Sequence, residues 1–139
     1  MKATIDLNVL LDVLQRRTMF MDESASVLDA AFSGRFTAVL PAHAITTVYY
    51  VTRKIVGAEN AVRTVRQLLG SFQIAACDAS SLTLACDLDM QDYEDAVTAA
   101  LAAQSECEYI VTRDVRHFAA SPVPAIIPGG FLMILDGLA

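Results

Sequence analysis

The sequence predicts an α/β fold, a three-layer α/β/α sandwich around a mainly parallel central sheet. Three observations carry that expectation. Short β-prone runs alternate along the chain with segments of helical apolar spacing, which is the pattern of strands joined by helical crossovers. Two such runs deliver an aspartate at their ends, Asp6 after Thr4-Ile5 and Asp114 after Tyr109-Ile110-Val111-Thr112-Arg113, where open parallel sheets place their functional groups. Of the 139 residues, 55% are hydrophobic, enough to bury a full core in one domain spanning residues 1–139.

Lys2 to Ile5 alternates as a strand and stops at Asp6, after which Val9, Leu10, Val13 and Leu14 recur at helical spacing. Asp22 or Ser24 is suited to cap a second helix running to about Phe32, and Gly34 stops it before a short strand from Phe36 to Leu40. Pro41 fits a helix first turn. Ala44 to Val56 is helical, with Arg53-Lys54 near the end where cations suit the dipole, and Gly57 breaks it. Ala58 to Leu69 repeats Val62, Val65, Leu68 and Leu69 on one face, completing an αα-hairpin. Phe72 to Ala76 reads as a strand, Ser80 to about Leu88 as a helix, and Asp92 to Ala103 as a helix with three acids in its first turn. Cys107 to Thr112 is the next strand, His117-Phe118 lie in a short helical turn, and Val123 to Ile127 is a last strand before Pro128 starts the terminal helix.

Charge and composition narrow the function. A formal net charge of −6 argues against a protein that holds nucleic acid through a general basic field. The cations are local instead: Arg16-Arg17, Arg53-Lys54, Arg63, Arg66, Arg113 and Arg116 hold most of the positive charge, and several can rim a pocket with an acidic floor. No apolar run approaches the ~20 residues of a membrane span, and the N-terminus lacks a signal-peptide plan, so a cytoplasmic protein is expected. Cys77, Cys86 and Cys107 have no metal-type spacing and read as free thiols.

Any one strand-end carboxylate is as readily a turn or cap residue as a ligand. Only the set points to chemistry. Asp6, Asp95 and Asp114 come from distant parts of the chain and each is expected at the sheet end where a cleft forms, so together they make a pocket for a hard divalent cation. Asp92 is expected to cap its helix, and Glu94 to turn away from Asp95, since helix neighbours differ by about 100°. Asn8 and Thr112 are placed to orient the carboxylates by hydrogen bonds, as groups behind metal ligands do.

These stretches carry a specific resemblance. Ile5-Asp6-Leu7-Asn8-Val9-Leu10-Leu11-Asp12, the helix Thr47-Val48-Tyr49-Tyr50-Val51-Thr52-Arg53-Lys54, Asp92-Tyr93-Glu94-Asp95-Ala96, Tyr109-Ile110-Val111-Thr112-Arg113-Asp114 and Pro128-Gly129-Gly130-Phe131-Leu132 together resemble a PIN domain, the fold of VapC-type toxin ribonucleases. The resemblance implies that Asp6, Asp95 and Asp114 are the first, third and fourth acids of the site, with Thr112 the supporting hydroxyl. The second acid, a Glu on the central helix of many members, aligns with Thr47, which can hold a water but supplies no charge. The resemblance further implies a metal-dependent endoribonuclease that hydrolyses RNA phosphodiesters with Mg²⁺ or Mn²⁺ held by Asp6, Asp95 and Asp114. Arg17 and Arg113 read either as phosphate contacts or as solvated surface arginines, and the resemblance gives an antitoxin and a homodimer as the partners to expect. In that scheme His43 and His117 are too isolated to form an acid/base pair, and His117 is expected to pack against the sheet beside Phe118.

Two functions therefore compete: the ribonuclease, and a PIN-fold RNA- or protein-binding module weakened in catalysis by Thr47. A phosphoacceptor module of the receiver type is set aside, because no strand-end Lys accompanies the acids.

Overall fold

The computed structural model describes residues 1–138. Five parallel strands form its sheet: β1 (Lys2–Ile5), β2 (Thr37–Pro41), β3 (Gln73–Ala75), β4 (Tyr109–Val111) and β5 (Ala125–Ile126), in the spatial order β3-β2-β1-β4-β5. The chain builds outward from β1 to β2 and β3, then returns across β1 to lay down β4 and β5. Ala3 lies opposite Ala38 on one side and opposite Tyr109 on the other, so β1 is central. The reversal of direction leaves a crevice between the carboxyl ends of β1 and β4.

The connections are helical: α1 (Leu7–Leu14), α2 (Met21–Phe32), α3 (Ala42–Val56), α4 (Ala58–Ser71), α5 (Ala79–Asp87), α6 (Tyr93–Gln104), a single 3-10 turn at Val115–Phe118, and α7 (Pro128–Gly137). Strand alternation divides the core in two. Ala3, Ile5, Ala38, Leu40 and Val111 pack on one face with α1, α2 and α7, and with Val48 and Leu68 of the α3–α4 hairpin. Val39 and Ile110 face the other way, onto α5 and α6. Helix α6 is buried from Ala96 through Ala102, and its alanines let it lie close to the sheet. That close seat fixes where its first turn, carrying Asp95, meets the strand ends.

Local chemistry accounts for most boundaries. Gly57 takes φ +85°, a conformation that lets α3 end and α4 begin without a linker. Asp92 caps α6, its carboxylate accepting the Asp95 backbone N–H at 2.9 Å. Two expectations are corrected. Helix α2 is capped by neither Asp22 nor Ser24: it begins at Met21, Asp22 falls in its first turn, and Ser24 is buried with its hydroxyl donating to Asp12. A buried carboxylate from α1 needs that donor more than an exposed helix end does. Pro41 closes β2 and precedes the first turn of α3 rather than lying within it.

Candidate active site

Asp6 follows β1 directly and is buried, a costly place for a carboxylate unless donors surround it. They do. One oxygen accepts the Leu7 backbone N–H at 2.8 Å and the other the Thr112 hydroxyl at 2.8 Å, so Asp6 caps α1 while being tied to the end of β4. Burial still pushes its carboxyl above the ordinary range; those two hydrogen bonds oppose the rise, the charge of Asp114 adds to it, and Arg113 counters it.

The Thr112 hydroxyl is the hub. It accepts from Asn8 Nδ2 at 3.1 Å and from the Asp114 backbone N–H at 3.0 Å while donating to Asp6. Asn8 bridges onward, its Nδ2 donating to Asp114 Oδ2 at 3.1 Å and its Oδ1 accepting the Arg113 N–H at 3.4 Å. Asn8 and Thr112 therefore fix the carboxylates that follow two strands relative to each other.

Asp95 enters from the third direction, on the first turn of α6. Its carboxyl is pushed up to about 6 by burial first, then by the charges of Asp6 and Asp92, with His117 working in the opposite sense. The charge of Asp114 thus acts on Asp6, and that of Asp6 on Asp95. Glu94, its neighbour, is exposed, and its charge acts on His43.

His117 departs from the sequence expectation. Phe118 is the residue buried against α6 and the sheet, whereas the His117 side chain is 60% exposed with Nδ1 3.3 Å from Asp95 Oδ2. A 3-10 turn places successive side chains about a third of a turn apart, so burying Phe118 directs its neighbour outward. His43 lies on α3 with Nε2 3.5 Å from the Thr98 hydroxyl of α6, and burial holds its imidazole below the ordinary range. Thr47 is half-buried one turn further along α3.

Sequence reasoning gave Asp12 no role, yet it is fully buried and ionically paired. Arg113 Nε donates to it at 2.8 Å, Ser24 Oγ at 2.9 Å, and Arg17 Nη1 lies at 3.5 Å. The Arg113 guanidinium also stacks 4.1 Å over the Phe20 ring. Arg17 and Arg113 are thus both anchored by one carboxylate. Its place in Leu10-Leu11-Asp12-Val13-Leu14, an acid within an apolar helical run, was the available signal.

The donor set is oxygen-rich, partly desolvated and self-repelling, which suits a hard cation that keeps much of its water shell. Among the described residues, no three acidic, histidine or cysteine side chains close tightly enough to cage an ion by themselves.

Comparison with known proteins bears directly on this arrangement. The PIN-domain family model matches residues 2–116, which include all three acids. The chain belongs to the PIN-domain family. It is 25% identical over 118 residues to Ribonuclease VapC1 of Aquifex aeolicus, covering 81% of each protein. The PIN fold is also that of VapBC2 from Rickettsia felis, solved bound to a promoter DNA fragment, with TM-score 0.69 and 14% identity over 91% of this chain and 98% of that one. A toxin–antitoxin complex from Klebsiella pneumoniae matches with TM-score 0.64 and 22% identity, over 91% and 97% of the two chains. No helix among the described residues of this PIN domain is long and apolar enough to cross a membrane.

Proposed function

We propose that the protein is a divalent-metal-dependent endoribonuclease, the toxin of a toxin–antitoxin pair, working in the cytoplasm. The observation that carries this reading is the hydrogen-bond network at the switch point of the sheet, in which Thr112 and Asn8 link Asp6 to Asp114, with Asp95 of α6 near enough for the charge of Asp6 to act on it. Asp6 and Asp95, with Asp114 directly or through water, are the residues to hold Mg²⁺ or Mn²⁺. A bound cation supplies phosphate polarisation and an attacking water of lowered pKa. The chain's own part is to keep the three carboxylates in place and to bring the phosphodiester to them, with Arg113 and Arg17, both paired to Asp12, as the phosphate contacts.

The relative named as a ribonuclease supports the activity, and the toxin–antitoxin complexes among the structural neighbours support an antitoxin partner; a homodimer is the assembly to look for. The deciding experiment is RNA cleavage by antitoxin-free protein with Mg²⁺ or Mn²⁺ and with EDTA. Cleavage that persists in EDTA overturns the metal mechanism.

One observation favours the second reading, a binding module with weakened catalysis. Thr47 brings no charge to the helix where many PIN nucleases have a Glu, so the site has three carboxylates to hold a cation. Metal titration separates the readings: a nuclease gains activity in step with occupancy, whereas a binding module binds RNA without turnover.

A further inference from the structure

Beside the carboxylates lies a cavity of about 460 Å³, within the size range that takes small ligands. Its walls differ in character. Arg116 and His117 of the 3-10 turn bound one side, Asp89 and Asp92 the other, and Met90 and Ala119 add apolar surface. A second depression of about 340 Å³ shares Arg116 and His117 and continues past Asp114 to Arg113. The two hollows thus meet along the 3-10 turn at Arg116 and His117, one running on to Asp114, and His117 itself touches Asp95.

Arg116 is exposed and forms no ion pair among the described residues, unlike Arg17 and Arg113, which Asp12 engages. His117 is exposed too, and its contact with Asp95 at 3.3 Å fixes the ring at the join between cavity and acid cleft. A ligand that fits must carry an anion for Arg116, a flat apolar face for His117, Met90 and Ala119, and N–H donors for Asp89 and Asp92. An anion cannot sit on the acidic wall. A nucleotide has these three features in one molecule, and its base reaches such a cavity only when unstacked.

We propose that Arg116, His117 and this cavity form a subsite for one unpaired nucleotide of single-stranded RNA next to the scissile phosphate, with a phosphate on Arg116 and the base stacked on His117. The proposal rests on the ribonuclease reading for the position of the cut, but binding tests it without turnover. Arg116 and His117 act as substrate-positioning residues.

The test measures binding of a short fluorescein-labelled single-stranded RNA by anisotropy in EDTA, across a salt series, using the full chain. Replacing Arg116 by Gln should weaken binding roughly tenfold and reduce the salt slope by about one, as expected for one lost phosphate contact. His117→Ala should weaken it roughly fivefold or more by removing the stacking surface, while His117→Phe keeps it. Duplex RNA of the same sequence should bind more weakly. An unchanged affinity and salt slope in Arg116→Gln, equal losses in both His117 variants, or equal binding of duplex RNA would overturn the subsite. If the binding shifts appear but no preparation cleaves RNA with metal, the subsite stands and the nuclease reading fails; cleavage with none of the shifts defeats the subsite alone.

Discussion

Neutralising Asp95 should stabilise the metal-free protein, because the folded state bears a charge that it disfavours. Its carboxyl rises from 3.8 to about 6 on folding, chiefly through burial and the nearby charges of Asp6 and Asp92. At about 1.36 kcal/mol per pH unit this corresponds to roughly 3 kcal/mol. The side chain is still 20% exposed, so solvent screening reduces the expected effect to about 1–2 kcal/mol. The sign follows from proton linkage: between 3.8 and about 6 the folded state binds more protons than the unfolded chain, so this group's contribution is fully favourable below 3.8 and is lost as pH rises through about 6. Asp95→Asn should therefore melt about 3–8 °C higher than wild type at pH 7 in EDTA. The gap should narrow as pH falls from 6 toward 4. Adding Mg²⁺ or Mn²⁺ should reverse the order, since a ligand at about a hundred times its Kd stabilises by about 2.7 kcal/mol and Asp95→Asn loses that gain. Calorimetric melts over this pH range, with and without metal, check all three parts. A variant less stable than wild type at pH 7 in EDTA, still stabilised by metal, would show that Asp95 serves only as an acidic residue at the positive end of α6 and would refute the reasoning.

Further outcomes are tied to particular contacts. Thr112→Val should cost about 1–3 kcal/mol by leaving an Asp6 oxygen buried without its donor and the Asp114 N–H without its acceptor, whereas Thr112→Ser should restore both; urea unfolding checks this. Asp12→Ala should be the most destabilising acid substitution, approaching the roughly 3–5 kcal/mol seen when one partner of a buried pair is removed, and limited proteolysis should show α2 loosening from α1. Asp114→Asn should lower RNA cleavage at least about a hundredfold with an unchanged far-UV spectrum, since Asp114 is exposed and its amide still accepts from Asn8. Thr47→Glu should tighten Mn²⁺ binding in isothermal calorimetry, because another carboxylate raises the site's attraction for a divalent cation, and an unaltered Kd removes position 47 from the cleft.

Some of this site was written in local sequence. The strand at Lys2–Ile5 followed by Asp6, the helix opened by Asp92, and the strand at Tyr109–Val111 followed by Asp114 are set by alternation, capping and dipole, which act over a few residues. The helix order and the parallel sheet come from the same periodicities. The tertiary structure alone decided that Asp12 is a buried counter-ion for Arg113, that Ser24 serves that acid instead of a helix end, and that His117 faces Asp95 while Phe118 takes the core position. Thr112 and Asn8 meet across 104 residues of chain, and the bond between Thr112 and Asp6 spans 106. A hydrogen-bonding residue type declares that it needs a partner, but which distant residue supplies it depends on the strand order β2-β1-β4. The raised carboxyl of Asp95 has the same origin, since burial and repulsion by Asp6 exist only once α6 has been seated against the sheet.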